Sequence, residues 1–319
     1  RHNMIILSLL FILMISLSNV ILSFCLLIHG NTQHPKLIQV QIIIRHADRA
    51  PIHQFTSLNS SFLFPRGLGE ISDIGIRRAA EMGRSLRRRY RLILKENKIF
   101  IRSSPVTRTL ASAASFSNAF IGRKKNNSIP LIHTTENELD EQVLISIDSP
   151  TFRCKVLHNH NISDSMCRIS LLKDKIVQSY PKCAWFSYNI IEAAISEIEN
   201  SDMKMNENLK KCAREDGRKI QFKTLSFVVG IGREIDEDRL KDTIGSLLAI
   251  LKKNIKEIVE SKPKESIRVY YTHDHIIVAL AQTLGIISEF EERVPEFSST
   301  IILETWKMRD GIEIRVSEK

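Results

Sequence analysis

Three segments of the sequence repeat one plan, in which an apolar run with strand character is followed by a polar cluster and then by a stretch with helical spacing. We predict the strands over residues 37–44, 98–101 and 267–272. Alternating strands and helices are typical of α/β folds, in which helices cover both faces of a largely parallel sheet. The sequence therefore predicts an α/β core with a mostly parallel sheet flanked by helices.

Polar side chains gather at the carboxyl ends of these predicted strands. In open α/β sheets the ligand crevice lies outside those ends, where helix N-termini also favour anions. The side chains expected at this edge are those of Arg45, His46, Arg49, Arg102, His273 and Asp274. The arrangement indicates a site for a phosphate-like anion.

The helices that follow the strands carry start signals. Ser72 is a suitable N-cap for a helix that reaches Tyr90. Ser104 is expected to cap the next helix, with Pro105 as its first residue and Phe120 near its end. A third helix is predicted over residues 276–284.

The C-terminal region has the pattern of a β-hairpin. Residues 300–306 and 312–316 alternate or run apolar on either side of Asp310-Gly311. Asp-Gly between two such runs is a strong hairpin signal. We therefore expect an antiparallel C-terminal hairpin at the edge of the sheet.

Residues 123–263 differ from the segments that flank them. Helical stretches such as 190–198 and 240–259 alternate there with polar segments. We interpret the region as an inserted, mainly helical cap over the crevice. The α/β core would then comprise residues 36–122 and 264–319.

The N-terminal segment resembles a targeting signal. Residues 4–28 contain no charged side chain and are rich in Ile, Leu, Phe and Met. This pattern directs a chain to the secretory pathway, so we expect a secreted, lysosomal or other lumenal protein. We favour a signal peptide over residues 1–30 that is removed. The apolar stretch is long enough to span a bilayer, so a retained signal anchor is the alternative, and only then would the chain associate with a membrane.

Removal of the signal would leave an even number of cysteines, which in an exported chain indicates two disulfides. Four cysteines allow three pairings, and the sequence does not choose among them. These cysteines are Cys154, Cys167, Cys183 and Cys212. Glycosylation sequons also agree with export, and they lie at Asn59, Asn126 and Asn161.

The formal net charge of +10 raises the question of a nucleic-acid partner. The densest cluster is five arginines within residues 84–91, on a segment with helical apolar spacing. This is typical of a solvated helix face, and no nucleic-acid motif accompanies it. We expect no nucleic-acid partner and interpret the charge as attraction to anionic substrates or surfaces.

The segment after the first strand carries the most specific motif. Residues 45–51 have the sequence RHADRAP, which resembles the R-H-G-x-R-x-P signature of the histidine acid phosphatases. This branch of the histidine phosphatase superfamily includes prostatic, lysosomal and insect venom acid phosphatases and phytases. The resemblance covers roughly residues 37–122 and 264–306.

Further pieces follow in family order. Residues 64–75 (FPRGLGEISDIG) resemble W-P-x-G-x-G-Q-L-T-x-x-G, and residues 86–90 (LRRRY) resemble L-R-x-R-Y. Residues 102–113 (RSSPVTRTLASA) resemble R-S-T-x-x-x-R-T-x-x-S-A, and residues 272–274 (THD) resemble the second signature with its H-D pair. A single R-H-x-x-R would be a weak signal, whereas this ordered series is a strong one.

The resemblance implies an acid phosphatase that hydrolyses phosphate monoesters through a covalent phosphohistidine. It implies that His46 is the nucleophile and that Asp274 is the general acid for the leaving alcohol. It further implies that the phosphoryl oxygens are bound by Arg45, Arg49, Arg102 and His273. The expected partner is a small-molecule or otherwise phosphorylated substrate. No metal or other cofactor is expected, and association of two copies into a homodimer is left open.

The chemistry agrees with these roles. A transferring phosphoryl group spreads negative charge over three oxygens, which planar guanidinium forks can bind without a metal ion. A neutral imidazole nitrogen can attack phosphorus if the other ring nitrogen donates to a backbone carbonyl. An unperturbed Asp has a pKa of about 3.9, which fits an acidic optimum for a group that must be protonated to act as an acid.

Departures from the family pattern leave alternatives open. Ala47 replaces the family glycine, and a methyl group would strain the phosphate loop if that position needs positive φ or a close approach of the backbone. With the end of the sequence soon after the hairpin, this motivates a secreted phosphate-binding homologue that is weak or inactive in catalysis. A phosphatase for lipid or inositol phosphates is a further alternative. Thr300 stands where vertebrate members commonly have a cysteine, which implies that Cys212 lacks its family partner.

Overall fold

The computed structural model describes residues 35–54, 56, 60–94, 98–122, 131–134, 165–201, 204–232, 234–260 and 265–318, with the backbone alone at 60, 61 and 165–171. The predicted signal segment, the three sequons and Cys154 lie outside these ranges. Among the described helices, none combines the length and the apolar character that a membrane crossing requires.

A five-stranded sheet forms the centre of the fold, with strand order β2-β3-β1-β4-β5. The strands are β1 (Lys36–Arg45), β2 (Ile99–Ser103), β3 (Ile267–Thr272), β4 (Thr300–Met308) and β5 (Gly311–Glu318). Strand β3 pairs in parallel with both β1 and β2, whereas β1–β4 and β4–β5 are antiparallel. The predicted α/β class, the parallel core and the C-terminal hairpin at residues 309–311 are confirmed.

Helices connect the first four strands. The N-terminal helices are α1 (Ser60–Leu63), α2 (Asp73–Arg89) and α3 (Thr107–Ile121). The middle helices are α4 (Ser165–Gln178), α5 (Tyr188–Asn200), α6 (Glu207–Cys212), α7 (Arg218–Val228) and α8 (Glu237–Glu260), with a π-helical turn at Ala213–Gly217. Helix α9 (Asp274–Thr283) and a 3₁₀ turn (Ile287–Phe290) lie between β3 and β4.

The two faces of the sheet bury separate apolar clusters. Side chains of α2 and α3, including Leu86 and Phe116, pack against Ile42 and Tyr271 on one face. Leu247 of α8 and the apolar residues of α9 pack with Ile43 on the other. Successive side chains of a strand point to opposite faces of the sheet, and both faces are buried here. The strand sequences are therefore nearly continuous apolar runs.

The middle helices pack on a third cluster that includes Ile191, Ile195 and Ile220. A disulfide joins Cys183, just before α5, to Cys212 at the end of α6. This is one of the pairings that the sequence leaves open, and the hydroxyl of Thr300, which stands at the position of the family cysteine, donates to the carbonyl oxygen of Ser298. The division of the chain into a core and a separate cap stays a prediction.

Candidate active site

The loop after β1 is held by backbone hydrogen bonds to both neighbouring strands. The Arg45 N–H donates to the carbonyl oxygen of Ser299, next to β4, over 3.0 Å. The His46 N–H donates over 2.9 Å to the carbonyl oxygen of Thr272, the last residue of β3. These bonds place Arg45 and His46 beside the start of α9, because β3 leads directly into that helix.

The imidazole of His46 is fixed in one tautomer. Its Nδ1 lies 2.9 Å from the carbonyl oxygen of Ala47, a group that can only accept, so Nδ1 carries the proton. Nε2 is therefore left with a free lone pair, as the sequence analysis expects. Burial, and after it the positive charge of Arg108, lower the pKa of His46 well below its usual value of 6.5. The ring is neutral and able to act as a nucleophile in mildly acidic solution.

Ala47 fits the loop without strain. Among the described residues, the non-glycine positions with positive φ are Glu291, Glu292 and Ser298, so Ala47 has an ordinary backbone conformation. Its side chain is fully buried against Ile71 and Ala79, and its N–H donates to Ser112 Oγ over 2.9 Å. The alanine is therefore not strained by a positive φ at this position.

Asp274, the first residue of α9, forms an ion pair with Arg45. Its Oδ2 lies 2.8 Å from Arg45 Nη2, and the side chain of Arg45 is 5% exposed. Burial alone would raise the pKa of Asp274, but the charge of Arg45, together with a hydrogen bond from His275, holds that pKa well below its usual range. The carboxylate is therefore ionised in the unliganded site.

His273 is the N-cap residue of α9, and its ring contacts that of His46. The two ring centroids are 5.5 Å apart in an edge-to-face arrangement. His273 Nε2 lies 3.0 Å from Ser104 Oγ. Burial, followed by the charge of Arg108, lowers the pKa of His273 well below 6.5. Both imidazoles are therefore neutral donors or acceptors in the absence of ligand.

The contact with His273 corrects the predicted role of Ser104. Helix α3 begins at Thr107, two residues later than expected, and its N-cap Val106 makes no side-chain capping bond. Ser104 therefore does not cap the helix, and Pro105 is not its first residue. Its hydroxyl instead bonds His273, which directly follows β3 and is distant in sequence. Rules for helix capping consider only neighbouring residues, so they do not predict this contact. The predicted N-cap at Ser72 is confirmed, because its side chain accepts from the Gly75 N–H.

Arg49 is anchored by an acidic residue of the middle helices. Its Nη1 lies 2.8 Å from Glu192 Oε1 on α5 and also donates to the carbonyl oxygen of Ala50. Both side chains of this ion pair are nearly buried, at 7% and 6% exposed. The charge of Arg49 contributes to the lowered pKa of His46, which places the guanidinium at the same site.

Arg102 lies near the end of strand β2, and its role in phosphate binding stays a prediction. Arg102 lies within β2 and is paired in register with Tyr270 of β3. Residues in register share a face of the sheet, and Tyr270 belongs to the apolar cluster under α8. Burial raises the pKa of Tyr270, and the charge of Arg102 is one of those that oppose this rise. The side chain of Arg102 therefore lies on the face of the sheet that α8 covers.

Arg108 lies close enough to the two site histidines for its charge to lower the pKa of both. It lies in the first turn of α3, and its charge is the largest electrostatic contribution to the lowered pKa values of both His46 and His273. Sequence reasoning missed this residue, although it belongs to the same motif. The available signal was its position at a helix N-terminus directly after a strand, where anions are bound.

The site thus brings together neutral imidazoles, one carboxylate and three guanidiniums at the carboxyl edge of the parallel strands. The residues are Arg45, His46, Arg49, Arg108, His273 and Asp274. The buried Nε atoms of Arg45 and Arg49 have no hydrogen-bond partner among the described residues. Buried N–H groups that lack an acceptor can donate to a ligand. A ligand with several anionic oxygens suits such a cluster.

Comparison with known proteins agrees with this geometry. The family described as histidine phosphatase superfamily (branch 2) matches residues 36–166 and 157–317. A Caenorhabditis elegans protein that carries an acid phosphatase name is 25% identical over 321 residues, which is 89% of this chain and 71% of that protein. Bovine prostatic acid phosphatase is 23% identical over 314 residues, covering 91% of this chain and 79% of its own length. The solved phytase of Klebsiella sp. ASR1 shares the fold, with a TM-score of 0.59 at 15% identity over 89% of this chain and 83% of its own.

Proposed function

Since the chain belongs to branch 2 of the histidine phosphatase superfamily and is a phosphatase of phosphate monoesters, we propose how its own residues carry the reaction. His46 is the nucleophile, and Asp274 is the general acid. Arg45, Arg49, Arg108 and His273 bind the phosphoryl oxygens. The observation that carries this assignment is the neutral His46 imidazole, with Nδ1 bonded to Ala47, among three guanidiniums.

The first displacement forms a bond between His46 Nε2 and phosphorus. The P–O bond to the alcohol breaks as this bond forms, and the leaving oxygen takes the proton of Asp274. Charge that develops on the equatorial oxygens is stabilised by the arginines, whose positions are fixed before substrate binds. The products of this step are the free alcohol and a phosphohistidine at residue 46.

The second displacement returns the enzyme to its starting state. A water molecule attacks phosphorus and gives its proton to the Asp274 carboxylate, which now acts as a general base. The P–Nε2 bond breaks, and its electron pair returns to the imidazole as phosphate leaves. One residue therefore supplies acid and base in turn, so no further proton carrier is needed.

The ion pair between Asp274 and Arg45 connects protonation to substrate binding. In the unliganded site Arg45 keeps the carboxylate ionised, which is the wrong state for an acid. A bound phosphoryl group competes for Arg45 and adds negative charge beside the carboxylate. Both changes raise the pKa of Asp274 in the complex, because a like charge disfavours ionisation. The acid form is then populated when it is needed.

We further propose that the chain enters the secretory pathway, as residues 4–28 predict. The Cys183–Cys212 disulfide supports this, because such bonds persist in oxidising compartments and are rare in the cytosol. Signal removal, glycosylation and self-association stay predictions.

The test of the acid role compares two substrates. Asp274→Asn is expected to lower kcat/KM on an alkyl phosphate by about 10³-fold but on p-nitrophenyl phosphate by only about tenfold, since nitrophenolate leaves without a proton. The ratio kcat/KM covers the steps up to formation of the phosphohistidine, so loss of the general base in the second displacement does not enter it. The isosteric amide keeps the shape of the site. Equal losses on both substrates would contradict a general-acid role for Asp274.

The same assay separates the phosphatase from a non-catalytic homologue. Wild type should release phosphate from p-nitrophenyl phosphate near pH 5, and His46→Ala should abolish release. Tight orthovanadate binding by wild type without any turnover would select the phosphate-binding homologue instead.

A further inference from the structure

Phe297 lies against the two arginines that follow β1, in the loop between the 3₁₀ turn and β4. The guanidinium carbon of Arg45 lies 4.3 Å from the centroid of its ring, and that of Arg49 lies 5.7 Å away. The His46 and Phe297 ring centroids are 5.6 Å apart. One aromatic ring thus contacts the proposed nucleophile and two of the proposed phosphate ligands.

The segment that carries Phe297 is bonded to the same loop by its backbone. The Ser298 N–H donates over 3.2 Å to the carbonyl oxygen of His46, and the Ser299 carbonyl accepts from the Arg45 N–H over 3.0 Å. Arg45 Nη1 also donates to the carbonyl oxygen of Pro295. Ser298 has a φ of 66°, in the left-handed region that serine seldom adopts. The position of the ring is therefore set by backbone contacts on both sides of Phe297.

A guanidinium that lies over an aromatic face keeps its N–H groups pointing outward in its own plane. At Arg45 the outward groups reach Asp274 and Pro295, which are both acceptors in the site. The Nε atom of Arg45 is buried without a partner among the described residues. The ring thus excludes water from one face of the guanidinium and leaves the donor edge for a ligand.

We propose that Phe297 is a positioning residue, which holds the guanidiniums of Arg45 and Arg49 in the orientation that binds the phosphoryl oxygens. This inference rests on the proposed function of the arginines. It adds a role that no part of the signature motifs contains, because Phe297 is distant in sequence from both of them. The ring acts through its π-face and its rigidity, so another aromatic residue should replace it and an aliphatic one of similar size should not.

Orthovanadate affinity, measured by isothermal titration calorimetry, tests this role without requiring turnover. Phe297→Leu is expected to weaken orthovanadate binding about five- to tenfold, the range that loss of a desolvated cation–π contact allows. Phe297→Tyr is expected to stay within about twofold of wild type. Phe297→Met serves as a second aliphatic variant, with the same expectation as leucine, should the leucine variant not fold.

The matched control is Phe62→Leu, which makes the same change at a ring that is 85% exposed. It should bind orthovanadate as wild type does. Wild-type affinity in Phe297→Leu, or an equal loss in Phe297→Tyr, would overturn the proposal. A wild type that binds orthovanadate but releases no phosphate would contradict the proposed function alone, and the variants would still decide the role of Phe297.

Discussion

The Oδ2 atom of Asp274 lies 2.8 Å from Nη2 of Arg45, so the proposed general acid and a proposed phosphate ligand are ion-paired with each other before substrate arrives. Each neutralises the charge of the other inside a largely buried site. A phosphoryl group that binds Arg45 therefore competes with the carboxylate for this guanidinium. Substrate binding and protonation of Asp274 become one coupled event.

His275 gives the first prediction, on pH dependence. This fully buried residue donates its backbone N–H to Asp274 Oδ1 over 2.9 Å, and its Nδ1 lies 3.7 Å from the same oxygen. The imidazole helps to lower the pKa of Asp274. His275→Thr keeps the backbone bond and removes the ring, so the pKa of Asp274 should rise. The alkaline limb of the kcat–pH profile should move to higher pH by about half a unit to one unit.

The other groups near Asp274, including Arg45 and His46, are unchanged in this variant. A control at an exposed histidine, His133→Thr, should leave the profile in place. An unmoved alkaline limb in His275→Thr, or a shift towards lower pH, would contradict the proposed influence of His275.

A second prediction separates the two arginines of one motif. Arg108→Ala should lower kcat/KM on p-nitrophenyl phosphate by about 10²- to 10³-fold, because it removes a preorganised positive charge from the histidines. Arg102→Ala should stay within about threefold of wild type, since Arg102 shares a face of the sheet with Tyr270. If Arg102→Ala lost more activity than Arg108→Ala, Arg102 would be the phosphate-binding arginine, as the sequence predicts.

The buried histidines predict a loss of stability in acid. The pKa values of His46 and His273 lie well below 6.5 in the folded protein, so as the pH falls below 6.5 the unfolded chain binds protons that the folded protein does not. The free energy of unfolding should therefore fall with pH, and the contribution of each histidine approaches about 1.4 kcal/mol per pH unit once the pH is well below 6.5. Urea unfolding between pH 7 and pH 5 measures this slope.

His46→Gln should have a shallower slope than wild type by about one proton, or roughly 1.4 kcal/mol per pH unit. If His46→Gln kept the wild-type slope, the imidazole of residue 46 would not be held neutral by the fold.

The disulfide predicts a further effect on stability. Cys183 and Cys212 are separated by 29 residues, and both are fully buried. Replacement of both by serine should lower the free energy of unfolding by about 3.5 kcal/mol, mainly through the greater freedom of the unfolded chain. Urea unfolding of the oxidised wild type and the double variant measures the difference. A change below about 1 kcal/mol would contradict a stabilising bond.

The parts of the fold that depend on local patterns were predicted from the sequence. Strand β3 occupies the predicted residues 267–272, and the hairpin lies on either side of Asp310-Gly311 as expected. Ser72 caps its helix because its partner, the Gly75 N–H, is three residues away. Each of these features is specified by residues that are close together in the chain.

The features that escaped prediction depend on distant contacts. Ser104 was expected to cap a helix but bonds His273, which is 169 residues away. Arg102 and Arg108 are alike as side chains, and the pairing of β2 with β3 sets the face of the sheet on which Arg102 lies. The partner of Cys212 could not be chosen for the same reason, because the pairing depends on how α5 and α6 pack.

Transient labelling of the enzyme tests the central claim most directly. Wild type is mixed with a 32P-labelled phosphate monoester, quenched within milliseconds, and digested so that the labelled peptide can be identified. The account predicts an acid-labile, alkali-stable label on the peptide that contains His46, and no label in His46→Ala. A label on another residue, or steady turnover by wild type with no label on His46, would contradict it.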